Sequence, residues 1–204
     1  MNVLVACESS GVVREAFRAK GHNAWSCDLL PADDGSKYHI QEDARDAISG
    51  GWDLLIAHPP CTRLTNSGVR WLSVPPKGRT LESMWKELDE GVELYLALRD
   101  AHWIPKRAIE NPIMHCHAAK RINPGPRQIV QPWWFGEPYF KATGFELIGL
   151  PPLKPTDKLQ PPAKGTEEYK QWSMIHRASP GPDRWKIRSK TFQGVADAMA
   201  EQWG

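Results

Sequence analysis

Apolar and polar positions along the chain alternate between short continuous apolar runs and helical stripes. Val3–Cys7 is an apolar run of the length of a buried parallel strand. Glu8-Ser9-Ser10-Gly11 reads as a turn with capping hydroxyls. Val12–Lys20 then sets Val13, Ala16 and Phe17 on one helical face until Gly21 stops it. Asn23–Cys27 predicts a second strand ending at Asp28. After a polar loop come a short helix at Ala44–Ile48 and an apolar strand, Trp52–Ala57, that runs into His58-Pro59-Pro60-Cys61. Leu81–Leu98 carries Met84, Leu88, Val92, Tyr95 and Leu96 at helical spacing. Arg107–Ile109 and Phe145–Leu150 predict further strands, the first ending at Glu110-Asn111-Pro112. Thr191–Trp203 closes the chain as an amphipathic helix. This rhythm predicts an α/β fold with a mostly parallel, doubly wound sheet.

The texture changes after residue 150. Seven prolines lie between Pro151 and Pro182 with few apolar runs, which predicts a Pro/Trp-rich loop region. The chain thus divides into a core at 1–150, a loop segment at 151–188 and a helix at 189–204 that completes the core. Ten Trp and eighteen Pro in 204 residues fit a domain rich in shaped loops. A formal charge of +2 excludes an acidic tail or a strongly basic coat and leaves room for a local basic patch. Four scattered cysteines suit a reduced, cytoplasmic setting better than a disulfide framework. No apolar run approaches 18 residues, so no membrane partner is expected.

Ligands of open α/β sheets bind outside the carboxyl ends of the strands. Four such ends carry polar groups: Glu8–Gly11, Asp28, His58–Cys61 and Glu110-Asn111. A small-residue turn after the first strand, with an acid ending the second, suits a nucleoside whose ribose hydroxyls the acid accepts. Asp43 is placed to receive an adenine amino group. Cys61 follows two stiffening prolines, near an expected helix start that favours the thiolate, although most free cysteines are small buried hydrophobes. Glu110 closes a buried strand, where desolvation raises a carboxyl and lets it hold a proton near neutrality. His115-Cys116-His117 has no Cys-x-x-Cys partner, so no metal is expected.

Pro59-Pro60-Cys61 and Glu110-Asn111 resemble the Pro-Cys and Glu-Asn-Val motifs of DNA (cytosine-5) methyltransferases. Val5–Phe17 resembles the family's first motif, with Gly11, Arg14 and Ala16 matching, and Ser189–Gln202 resembles its closing motif. The likeness is greatest to short bacteriophage-encoded members. It implies a Rossmann-like S-adenosylmethionine-dependent methyltransferase fold and a phage or prophage protein in the bacterial cytoplasm. It also implies S-adenosylmethionine held by Cys7, Glu8, Ser9, Ser10, Gly11, Asp28, Leu29, Asp43 and Pro59, with Thr191 near its methionine end. Cys61 becomes the nucleophile for cytosine carbon-6, and Glu110 with Asn111 supports the ring. The family's Phe-x-Gly-x-Gly stands here as Cys7-Glu8-Ser9-Ser10-Gly11. Its Gln-x-Arg-x-Arg motif has no clean counterpart, and Lys141 stands in for the second arginine.

Segment 151–188 lies where the family carries a target recognition domain and is much shorter, so DNA is expected as partner with low sequence selectivity or as a single strand. A monomer or weak dimer is expected. Trp133-Trp134-Phe135, Trp172, Arg184, Trp185, Lys186 and Arg188 interleave stacking surfaces with charge. Arg63 and Arg70, after the nucleophile, are placed for phosphate. Three alternatives stay open: an amino-methyltransferase using His58-Pro59-Pro60-Cys61, addition of a group other than methyl at carbon-5, and a DNA-binding homologue without catalysis.

Overall fold

The computed structural model describes residues 1–177 and 188–204. Its centre is a seven-stranded mixed sheet in the order β3-β2-β1-β4-β5-β7-β6. The parallel part holds β1 (Asn2–Ala6), β2 (Asn23–Asp28), β3 (His39–Gln41), β4 (Leu54–Ala57) and β5 (Lys106–Glu110). β6 (Arg127–Val130) and β7 (Thr143–Ile148) form an antiparallel pair, with β7 also antiparallel to β5. The result is an α/β fold on a mixed, mostly parallel sheet, an order compatible with a Rossmann-like fold.

β1 and β4 are the central strands because they are apolar on both faces, and Val3–Ala6 and Leu54–Ala57 are fully buried. Alternate residues serve opposite layers. Leu4, Ala6, Leu55 and Ala57 face Met84, Leu88 and Tyr95 of the long helix α4 (Leu81–Arg99). Val3, Val5, Leu54 and Ile56 face Phe17 of α1 (Val12–Ala19) and Met199 and Trp203 of the last helix. The short helices α2 (Ala44–Ala47), α3 (Asn66–Val69) and α5 (Cys116–Ile122) sit in the connections. α4 starts at a capping box between Thr80 and Ser83.

Several expectations are corrected. Gly11 caps α1 with φ 70° and no side chain, and the capping acceptor is Glu8 rather than a serine hydroxyl. The expected Phe145–Leu150 strand is β7, antiparallel and two residues earlier. β6 and α5 were absent from the periodicity reading: β6 buries only Val130 fully, so it carries almost no apolar signal. The stretch read as loop contains α6 (Glu167–Trp172), capped by Thr166 on the Tyr169 amide, and α7 (Met174–Arg177). The last helix, α8 (Gln193–Trp203), packs along α1, and the Trp203 indole N–H donates to the Pro151 carbonyl at 2.9 Å. Among the described residues no helix is long and apolar enough to cross a membrane.

Candidate active site

The carboxyl ends of β1, β2, β4 and β5 open on one edge of the sheet, where β1 is the switch point between strands that run outward in both directions. β4 leaves the sheet at His58, whose amide still bonds the Ala6 carbonyl at 3.0 Å. Pro59 and Pro60 carry the chain to Cys61, whose carbonyl accepts the Leu64 and Thr65 amides at 3.0 and 3.1 Å. Leu64 is fully buried, and His115 clamps the turn from the start of α5: its amide bonds the Leu64 carbonyl and its Nε2 the Arg63 carbonyl. Its other ring nitrogen accepts the Ala118 amide. The nucleophile candidate therefore sits on a turn fixed from both sides.

The electrostatics of Cys61 and Glu110 reverse two expectations. Cys61 lies five residues before the first residue of α3, not at a helix start. Burial, then the Glu110 carboxylate, push its thiol up, while Arg188 and Lys141 pull the other way. At rest the sulfur is the thiol. Glu110 is not held protonated: burial acts to raise it, but the hydrogen bond from His58, the His58 charge and Lys141 together hold it below the usual carboxylate range. The pairing of Ala57 with Ile109 sets the next residues, His58 and Glu110, side by side, and His58 Nδ1 lies 2.9 Å from Glu110 Oε2.

Lys141 joins this group from the approach to β7. Its ammonium donates to the Lys190 and Ser189 carbonyls at 2.8 and 3.3 Å, and burial lowers its pKa against the opposing pull of Glu110 and Cys61. With Glu110, Thr143, Phe145 and Thr191 it lines a space of about 20 Å³, room for about one water. Asn111 is 1% exposed, and its side-chain oxygen lacks a partner among the described residues. His58 Nε2 is likewise buried and unpartnered. His58 entered the sequence reading only as part of the polar strand end and of the alternative His58-Pro59-Pro60-Cys61 motif; its pairing with Glu110 was not foreseen.

Next to this group is a cavity of about 540 Å³ that includes Cys7, Asp28, Leu29, Asp43 and Pro60. Cys7 occupies a left-handed backbone position, φ 59°, and burial, then Asp28, push its thiol far up. Asp28 accepts the Leu30 amide through one oxygen, and the Leu29 side chain is 70% exposed at the cavity. Asp43 caps α2 and pairs with Arg45, which holds its carboxyl down. The far wall was not foreseen: Glu87, Glu90, Gly91 and Leu94 present a second face of α4, polar and therefore invisible to the apolar stripe.

The turn after β1 does not line this cavity beyond Cys7. Glu8 is 5% exposed and accepts the Val13 and Arg14 amides at 2.9 and 3.4 Å and the Ser10 hydroxyl at 3.2 Å. Ser9 gives its carbonyl to the Asp33 amide. A Cβ on Gly11 would meet the buried Arg14 guanidinium, which bonds Ser26 and Asp34. Thr191 lies with Glu110 and Lys141 and is not part of the Asp28–Asp43 cavity; Pro59 is buried and lines neither space.

The residues expected to meet DNA are dispersed. Arg63 pairs with Glu87. Arg70 is exposed and stacks 3.9 Å over the Trp71 ring. Trp133 and Trp134 pack edge to face, and their carbonyls accept the amides of Leu159, Thr156 and Asp157. Arg188 is exposed and close enough to act on Cys61 and Lys141. Trp185, with Arg184 and Lys186, lies outside the described residues. Among the described residues no cluster of His, Cys, Asp and Glu suits a metal ion. No protein-family model matches the chain, and no curated protein is significantly similar to it.

Proposed function

We propose that this chain is an S-adenosylmethionine-dependent DNA (cytosine-5) methyltransferase. The observation that carries the reading is the meeting of Cys61 and Glu110 at the ends of adjacent parallel strands, next to the Asp28–Asp43 cavity. A thiol and a carboxylate so placed suit covalent addition to an electron-poor ring. The sheet, with its antiparallel hairpin beyond β5, fits the methyltransferase variant of a Rossmann-like fold.

The cavity suits the cofactor. Glu8 already fills the amide donors at the α1 N-terminus, so that end of the helix offers no phosphate seat. The Asp28 oxygen not used by Leu30 suits ribose hydroxyls, the exposed Leu29 suits the face of an adenine, and Glu42, Glu90 and Glu93 suit a cation. When bound, S-adenosylmethionine supplies an electrophilic methyl group.

The chain's own residues do the rest. Cys61 sulfur forms a bond to cytosine carbon-6 as its S–H bond breaks. The carbon-5–carbon-6 electron pair shifts toward carbon-4 and ring nitrogen-3, which takes a proton. Carbon-5 thereby becomes nucleophilic. Glu110 Oε1, which bonds no donor among the described residues, accepts from the exocyclic amine and orients the ring. The exposed Arg188 supplies positive charge for a phosphate beside Cys61. The target base must be unstacked for this attack.

The test uses DNA containing 5-fluorocytosine, and separately 5-fluoro-dCMP, each with labelled S-adenosylmethionine. A denaturation-stable labelled adduct with DNA, lost in Cys61→Ala, is expected. An adduct with the nucleotide alone reassigns the substrate, and no adduct with either refutes the reading.

A further inference from the structure

We propose that Lys141 and Glu137 form a clasp that seats segment 188–194 against the site and so places the Arg188 guanidinium as a phosphate contact beside Cys61. Lys141 is thereby a positioning residue and not a group that holds the base. The inference rests on the function proposed above and gives its DNA contact a support.

Two charged side chains, four residues apart, grip the same segment by its backbone. The Lys141 ammonium donates to the Lys190 carbonyl at 2.8 Å and the Ser189 carbonyl at 3.3 Å, and stands 5.9 Å from the centre of the Phe192 ring. The Glu137 carboxylate accepts the Gly194 amide at 3.0 Å and the Gln193 amide with it. Ammonium meets carbonyls and carboxylate meets amides, charge-assisted bonds on either side of Phe192, the cap of α8. Tyr139, between the two in sequence, packs on the Phe192 ring with centroids 5.0 Å apart. The gripping connection is itself anchored. The Lys141 amide donates to the Gln131 side-chain oxygen at 3.2 Å, and the Phe140 amide to the Trp172 carbonyl at 2.8 Å.

What the clasp carries is Arg188. It precedes Ser189, is exposed, and is close enough to act on both Cys61 and Lys141. Holding the backbone one residue away limits where that side chain can reach, and a guanidinium there suits a phosphate of the strand whose base has come to Cys61. Lys141 is not placed to meet the base itself. An ammonium has three donors, and two of them meet backbone carbonyls. The space it shares with Glu110 and Thr191 is about 20 Å³, room for about one water and not for a pyrimidine. Nor does Lys141 line the larger cavity.

The test is binding of the full chain to fluorescently labelled DNA, measured against salt concentration. Lys141→Met keeps the reach of the side chain and removes its donors. It and Arg188→Ala are each expected to weaken binding about tenfold and to lower the salt slope by about 0.9, the share of one phosphate contact. The double variant is expected to lose no more than either alone, because both changes remove the same contact. A methyl group at Gly194 would run into the Phe135 carbonyl oxygen, so Gly194→Ala lifts the segment with no change of charge. It is expected to lower the slope likewise, which keeps the test decisive where Lys141→Met folds poorly. In the same variant carbon-5 exchange, the release of tritium from carbon-5-tritiated cytosine in DNA, should need more DNA for half-saturation. Losses that add in the double variant show that Lys141 meets DNA by itself and overturn the clasp. A wild-type slope in Arg188→Ala or Gly194→Ala overturns it too. Those outcomes leave the covalent chemistry of Cys61 to the 5-fluorocytosine adduct, whereas a wild-type chain that binds no DNA overturns both.

Discussion

Replacing Glu8 by alanine removes the acceptor on which the start of α1 depends. Its carboxylate takes the Val13 amide at 2.9 Å, the Arg14 amide at 3.4 Å and the Ser10 hydroxyl at 3.2 Å. At 5% exposure, water does not readily replace it. An unmet buried donor costs about 1–3 kcal/mol, and losing a cap costs about 0.5–2 kcal/mol, two descriptions of one loss rather than two terms. The 3.4 Å bond is too long to add much, so the Val13 amide sets the size, about 2 kcal/mol. Gly11, at the cap position, has no side chain to take over. For a chain of 204 residues each kcal/mol moves Tm by about 2–4 °C, so Glu8→Ala should unfold about 4–8 °C below wild type. Glu8→Gln keeps an oxygen acceptor and should lose less than half of that. Calorimetry and urea unfolding measure both variants. A Glu8→Ala midpoint equal to wild type refutes the capping role and returns Glu8 to the ligand side.

Two further perturbations test the Cys61–Glu110 group. Glu110 is held below its unfolded value of about 4.3, so its stabilisation is full above that pH and is lost as pH falls through the folded value. Glu110→Gln should therefore flatten the decline of urea-unfolding stability between neutral and acid pH; an unchanged slope contradicts the assigned direction. A methyl group at Gly68 would run into the Thr62 carbonyl oxygen, next to Cys61. Gly68→Ala should shift that turn and lower carbon-5 exchange about tenfold or more, with an overpacking cost of about 1–3 kcal/mol in unfolding. Exchange at the wild-type rate shows that the turn need not be fixed.

What was legible in the sequence follows burial. β1 and β4 announce themselves because both faces are covered, so every residue from Val3 to Ala6 and Leu54 to Ala57 is apolar. β6 does not, because an outer strand needs one buried side chain, Val130, and leaves Arg127 and Ile129 exposed. The position of Cys61 and Glu110 was legible for the same reason as the strands that end in them. Their protonation was not, because it depends on the neighbour across the sheet. Only the β4–β5 register sets His58 beside Glu110, and only the approach to β7 brings Lys141 to both. A carboxyl desolvated alone rises; the same carboxyl with an imidazole donor and an ammonium nearby falls.

The same register logic bears on target recognition. β6 is the outer strand of the sheet, and an outer strand left open invites pairing with another chain. Here the segment after Leu150 covers it. The Gln128 side-chain amide exchanges two hydrogen bonds with Leu153, at 2.7 and 2.8 Å, and Leu153 is 3% exposed. Thr156, Asp157 and Leu159 then bond the carbonyls of Trp134 and Trp133. The tryptophans expected as stacking platforms thus anchor the start of the short segment to the sheet, so that part is engaged in closing the fold. Under the proposed function, discrimination at the reacting base then falls to Glu110, whose Oε1 bonds no donor among the described residues. Held ionised, that carboxylate accepts, and a ring bearing an amine at carbon-4 meets it better than one bearing a carbonyl there. On that reading cytosine is favoured over uracil or thymine, while the flanking sequence meets few described contacts able to read it.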